Sequence, residues 1–494
     1  MNIFKKIHEI NLIIIKNSLR VSLHVISGGI ITILVLAVVY LNNQPDLKIW
    51  HTVKLDTEFT KRSPVKTFAD YQALEERLFA QLKERVYDQI ESEDQFSINR
   101  YYQNSETDPD QWTPNWNRSF ELSTGAPVAG VLLLHGMSDS PYSLHNLGTR
   151  LHEEGAHVVG LRIPGHGTAP SGLAYVHWQD MAAAVKLAVI HLHEQVGDKP
   201  VYVIGYSNGG ALALHYALSV IEDPSLPPIK KLVLISPEIG VTKIAALAVW
   251  QERIGHVLGL AKLKWNDVLP EYDPFKYNSF AINAGDQAYR LTIENRKRLD
   301  ALHEAKKLDQ LPPILAFQSA LDATVSARAL VLELFEKLPD GDHELVAFDI
   351  NRIAIVEQML KSDPKENIDM IMNNKNNHFT FSLVTNDNEN SEQVIVRTRK
   401  PGQTEITQTD TDLAWPDEIF SLGHIALPFP AQDPLYGSGE QQDKSELQLG
   451  NFAIRGEKGM LRVPASAMLR IHWNPFYPYL EQRVLNYFFA DNNK

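Results

Sequence analysis

Between residues 128 and 237, short apolar runs alternate with single helical stretches, and this alternation constrains the fold of the 494-residue chain more than any other feature. The apolar runs are VAGVLLLHG (128–136), AHVVGLRI (156–163), PVYVIGYS (200–207) and KKLVLISP (230–237). Between them, 144–154, 176–196 and 209–221 carry apolar residues at helical spacing. Strands without a polar face, separated by one helix each, belong to a parallel sheet covered by helices on both sides. The pattern resumes at PPILAFQS (312–319) and HELVAFDI (343–350), and a final helix is expected over 478–489.

The stretches that break this rhythm suggest a division of the chain. Residues 238–310 read as helices only, with an apolar start (IAALAVW, 244–250) and a charged end (294–307), so they are expected as a helical cap over the sheet. Residues 351–420 hold two β-like runs (379–385 and 392–398) and are expected as an insertion standing aside from the core. The main domain is placed at 119–494. Before it, 42–118 is read as a stalk followed by an amphipathic helix from Phe68 to about Ile90.

At the N-terminus, Val21 to Leu41 (VSLHVISGGIITILVLAVVYL) has about the 20 residues that a helix needs to cross a bilayer. Lys5, Lys6, Lys16 and Arg20 precede it and no Lys or Arg follows until Lys48, so residues 1–20 are expected in the cytoplasm and everything after Leu41 on the outer side. A cleaved signal peptide is the rival reading, disfavoured by the length of the run and the NNQP that follows.

Composition excludes several classes of function. A net charge of -13 argues against nucleic acid, whose phosphates demand clustered Lys and Arg. With no Cys, there is no disulfide, thiolate metal site or Cys nucleophile. None of the His-Glu pairs has a second His four residues after the first, GHGTAP lacks a dinucleotide fingerprint's third Gly, and no phosphate-binding loop sequence occurs. No cofactor and no metal are expected.

The strongest chemical signal is Gly205-Tyr206-Ser207-Asn208-Gly209, because a buried strand ends at it and a helix begins there. Glycines flanking a Ser on so sharp a turn remove the Cβ atoms that would clash, and the hydroxyl then projects from the carboxyl edge of the sheet. A serine hydroxyl attacks only once a base takes its proton, so a His and an orienting acid must follow. Asp322, just after the 312–319 strand, fits the acid, with Glu238 as the runner-up. For the base, His424 in FSLGHIALPFP has a loop-like setting, and His378 in NNHFT is the alternative. The Met137 and Asn208 amides are the candidates for binding a tetrahedral oxyanion. His166, in PGHG, is read as shaping its loop.

HGMSDSPYSL, RIPGHG, GYSNGGALAL and SALDATV together resemble the α/β-hydrolase superfamily, most of all its bacterial monoacylglycerol-lipase-like and serine-aminopeptidase-like branch. The resemblance is close over 128–237 and looser over 312–350. It implies an α/β-hydrolase fold, a mostly parallel sheet flanked by helices, with Ser207, Asp322 and His424 as triad. It also implies an acyl-enzyme route acting on a small lipophilic ester or acyl lipid. A serine peptidase, an acyltransferase and an inactive interaction module are the alternatives. The N-terminal segment and the long interval between Asp322 and His424 depart from the compact family pattern.

Overall fold

The computed structural model describes residues 16–29, 43–240, 261–322, 324–353, 363–439, 447–450 and 470–490, with isolated positions 8, 31, 32, 35, 39 and 360. A ten-stranded sheet organises them. Its strands are β1 (Phe120–Leu122), β2 (Ala129–Leu134), β3 (Ala156–Leu161), β4 (Val201–Tyr206), β5 (Lys231–Ile235), β8 (Ile314–Ser319), β9 (Glu344–Phe348), β10 (Thr380–Asn386), β11 (Gln393–Arg399) and β12 (Thr407–Ala414). The spatial order is β1-β3-β2-β4-β5-β8-β9-β10-β11-β12. From β3 to β10 every pairing is parallel, whereas β1, β11 and β12 run antiparallel to their neighbours. A two-stranded hairpin, β6 (Trp265–Asp267) and β7 (Phe280–Ala281), stands apart.

Alternation along the strands divides the apolar residues between two layers. Leu132, Leu134, Val159, Leu161, Val203 and Leu234 face one core and Val131, Leu133, Val158, Ile204 and Val233 face the other. The first core is closed by helices α3 (Trp178–Val196), α4 (Asn208–Glu222) and α5 (Ile282–Glu304), the second by α2 (His145–Glu153) and α6 (Tyr477–Phe489). In the parallel strands β2, β3, β4 and β8 every residue is buried, which is why these runs show no polar face. By contrast β12, TQTDTDLA, is largely exposed and charged, and such an edge discourages further strands from adding.

The described part of the expected stalk, residues 43–67, packs onto the main domain. Trp50 and Phe59 are buried, and the amphipathic helix α1 (Phe68–Arg85), capped by Thr67, packs its Tyr71, Leu74 and Leu78 face inward. Glu58 and Glu75 both bind the buried guanidinium of Arg162, at 2.9 and 2.6 Å, and the Tyr71 hydroxyl donates to the Arg162 carbonyl at 2.7 Å. A buried Arg stripped of its carboxylates is strongly destabilising, so this cluster fixes the segment to the main domain. Nor do residues 351–420 stand aside: β10 continues the parallel set beside β9, and β11 and β12 extend it.

The expected membrane span requires correction. Among the described residues no helix is long and apolar enough to cross a membrane. This overturns the anchor at Val21–Leu41, the attachment through it, and the placement of the two sides of the chain. Of the expected span, residues 21–29 continue a described helix that begins at residue 16. Residues 30, 33, 34, 36–38 and 40–42 lie outside the described set, as does the expected apolar start of the cap at 244–250. The described part of 238–310 contains α5, which packs against α4, and the β6–β7 hairpin, so it is not wholly helical.

Candidate active site

Strand β4 delivers Ser207 onto a strained turn. Its backbone lies at φ 54° and ψ -117°, a region that non-glycine residues occupy at a cost of order 1–3 kcal/mol. The flanking glycines make the turn feasible. A Cβ on Gly205 would meet the Gly209 carbonyl oxygen at 2.4 Å, and one on Gly209 would meet the Leu134 carbonyl oxygen at 2.1 Å. The turn is also tied to the next strand, since the Ser207 amide donates to Ile235 O at 3.0 Å and the Glu238 amide to Ser207 O at 3.0 Å. Helix α4 begins at Asn208, so the hydroxyl stands at its positive end.

Ser207, His424 and Asp322 form one hydrogen-bonded chain. Ser207 Oγ lies 2.9 Å from His424 Nε2, and His424 Nδ1 lies 2.8 Å from Asp322 Oδ2. An ionised carboxylate only accepts, so the Nδ1 proton points at Asp322 and Nε2 is left to accept from the serine. The side chains of Asp322 and His424 are 0% and 5% exposed. Burial opposes ionisation of Asp322. The His424 hydrogen bond and charge, with the Val325 and Thr324 amides on Oδ1, outweigh it and hold the carboxyl below its ordinary value. Gln318 Nε2 also donates to Oδ2 at 2.9 Å. Sequence reasoning missed Gln318, because a polar residue inside an apolar strand carries no signal of the partner it meets.

The path to His424 explains the long interval after Asp322. The chain leaves β12 at Ala414 and returns along the carboxyl edge of the sheet. There the Asn351 amide donates to Phe420 O at 2.8 Å and the Ser319 hydroxyl to Leu422 O at 2.8 Å. The Tyr206 ring lies 5.4 Å from the His424 ring, centroid to centroid. His378 is elsewhere: it precedes β10 at the opposite edge, half exposed, with Nδ1 2.7 Å from Asp340 Oδ1. Glu238 makes no contact with His424 in this network; burial without a partner for its Oε2 raises its carboxyl to about 7.

Met137 and Asn208 flank the serine from two sides. A Cβ on Gly136 would come within 3.2 Å of Ser207 Cβ, which places the 135–138 loop directly against the Ser207 turn. Neither the Met137 nor the Asn208 amide donates a hydrogen bond among the described residues. Two free donors beside a serine hydroxyl are what a developing oxyanion requires. The loop is held from below: the Ile163 amide donates to His135 Nε2 at 3.0 Å, and His135 Nδ1 faces Gly136 O at 2.8 Å. Burial depresses His135 well below the usual imidazole range and His166 to about 4, so both stay neutral. His166 Nδ1 bonds its own loop at Pro164 O, 3.0 Å away, and does not join the serine. From above, the Tyr277 amide donates to Ser138 O and Lys276 binds Asp139, at 2.8 and 2.7 Å.

The chain is similar to known hydrolases over this same region. Residues 125–349 match the family model described as Serine aminopeptidase, S33. Phospholipase YtpA of Bacillus subtilis (strain 168) is 24% identical over 229 residues, 44% of this chain and 78% of that protein. A thermostable monoacylglycerol lipase of Bacillus sp. (strain H-257) is 30% identical over 117 residues, covering 24% of this chain and 44% of the lipase. Among solved structures, the monoacylglycerol lipase of Paleococcus ferrophilus aligns at 19% identity, covering 47% of this chain and 87% of that one, with a TM-score of 0.35.

Proposed function

Since this chain belongs to the α/β-hydrolase superfamily and is lipase-like in its relatives, we propose that it is a serine hydrolase cleaving carboxylic esters of acyl lipids or small lipophilic alcohols. The observation that carries the reading is the Ser207–His424–Asp322 chain, with contacts of 2.9 and 2.8 Å at the carboxyl edge of the sheet. His424 takes the Ser207 proton as Oγ attacks the ester carbonyl, and Asp322 holds the imidazole in the accepting tautomer and stabilises the imidazolium that forms. The oxyanion falls between the Met137 and Asn208 amides, neither of which donates elsewhere among the described residues. His424 returns the proton to the leaving alcohol. Water, activated by the same His, then releases the acid and frees Ser207.

The description of the matching family gives a second reading, a peptidase that trims short N-termini with the same three side chains. Turnover of p-nitrophenyl esters against that of aminoacyl amides separates the two. Ester turnover without amide turnover is expected, and the reverse would favour the peptidase.

A further inference from the structure

At the other end of the sheet, three side chains from three separate elements converge on one point. Glu121 Oε1 on β1 lies 2.6 Å from His157 Nε2 on β3 and 3.0 Å from His191 Nε2 on α3. The side chains are 20%, 4% and 15% exposed, so the cluster is enclosed yet reachable by solvent. The Phe68 ring closes one side, 4.9 Å from the His191 ring. The Glu121 carboxyl is held below its ordinary value by the hydrogen bonds of the two imidazoles against the opposing effect of burial, and no Lys or Arg pairs with it among the described residues.

We propose that Glu121, His157 and His191 bind a divalent cation of the zinc type. Two imidazole nitrogens and one carboxylate oxygen are a recurrent protein set for Zn²⁺, with water completing a tetrahedron. Ligands about 2.1 Å from a tetrahedral ion stand roughly 3.4 Å apart, so on binding the 3.0 Å Glu121–His191 contact must widen by about 0.4 Å and the 2.6 Å Glu121–His157 contact by about 0.8 Å. Binding exchanges the two hydrogen bonds to Glu121 for metal bonds: each imidazole gives up the Nε2–H that now donates to the carboxylate and carries its proton on Nδ1, which leaves the Nε2 lone pair as ligand. His157 is level with Val201 on β4, six residues before Ser207. At about 3.3 Å per residue this puts the ion on the order of 20 Å from the nucleophile. At that distance it takes no part in the serine chemistry, and it would clamp β1, an edge strand of only three residues, to β3 and α3. The ligands lie 36 and 34 residues apart in the chain, so no short motif announces them.

The test is titration of the chelator-treated full-length protein with Zn²⁺ alone, followed by calorimetry and thermal unfolding. One ion per chain and a higher Tm are expected for the wild type. His191→Ala and Glu121→Gln should each weaken that binding at least tenfold and abolish the Tm shift, while ester turnover changes less than twofold. Because a variant can fail to fold, X-ray absorption of the zinc-loaded wild type gives an independent reading, with imidazole scattering from two ligands expected. No zinc-dependent Tm shift in the wild type, equal binding by the folded variants, or a spectrum without imidazole would overturn the proposal.

Discussion

The Ser319 hydroxyl donates to the Leu422 carbonyl at 2.8 Å across 103 residues of chain. Ser319 ends the strand before Asp322, and Leu422 lies two residues before His424. This bond therefore ties the strand that leads to Asp322 to the loop that carries His424, beside the Asn351–Phe420 bond on the same segment. Ser319→Ala removes a buried hydrogen bond of about 1 kcal/mol and leaves the Leu422 carbonyl unpaired. Turnover should fall up to about tenfold with little change in KM, because the loss is in alignment and not in substrate binding. Steady-state kinetics on a soluble ester check this, and an unchanged kcat would show that the bond has no such role.

Ser207 stores backbone strain at the strand-to-helix turn. Ser207→Ala keeps the Cβ and the φ of 54°, so its Tm should match the wild type while turnover drops by roughly 10⁴–10⁶. Ser207→Gly is equally inactive but relieves the positive φ, and should unfold at a higher denaturant midpoint by the equivalent of about 1 kcal/mol. A glycine variant less stable than the alanine variant would contradict the strain assignment.

The core was legible in the sequence and the edges were not. Strands such as 129–134 and 201–206 are buried on both faces and read as unbroken apolar runs, and the glycines around Ser207 are demanded by local clashes. β12 escaped notice because TQTDTDLA pairs only through its backbone on one side and exposes polar side chains. The joining of 43–67 to the domain was equally hidden, since it depends on Arg162 meeting Glu58 and Glu75 from distant parts of the chain. The loop setting of His424 is visible in the sequence, but the route that brings its imidazole beside Ser207 depends on contacts that no local pattern encodes.

Asp322→Asn replaces an acceptor with a group that cannot anchor Nδ1–H through the same oxygen in both amide orientations. The imidazole then favours the tautomer with its proton on Nε2, which cannot accept from Ser207. Turnover should fall about 10⁴-fold while the fold persists. The wild-type carboxyl also carries a pH signature. Its folded-state pKa is depressed, so its stabilisation is present above the unfolded carboxylate pKa and is lost as pH falls through the lower folded value. Acid unfolding followed by circular dichroism should show this contribution missing from the Asn variant.

Glu238 predicts the opposite sign. Burial lifts its carboxyl from 4.5 to about 7, so the folded state holds a proton that the unfolded chain has already released. Stability must therefore decline as pH rises from about 4.5 to about 7, by a contribution of order 1–3 kcal/mol. Glu238→Gln should flatten that decline, and urea melts at pH 5 and pH 8 measure it. Equal slopes for both proteins would show that this carboxyl does not titrate as its burial implies.

The central claim is that His424 activates Ser207, and covalent labelling tests it most directly. The wild type should react with a fluorophosphonate and carry the label on the peptide containing Ser207 in mass spectrometry. His424→Ala should label far more slowly, because an unactivated serine is a poor nucleophile. His378→Ala should label at the wild-type rate, since its imidazole faces Asp340 at the opposite edge of the sheet. Rapid labelling of His424→Ala, or loss of labelling in a folded His378→Ala, would contradict the account.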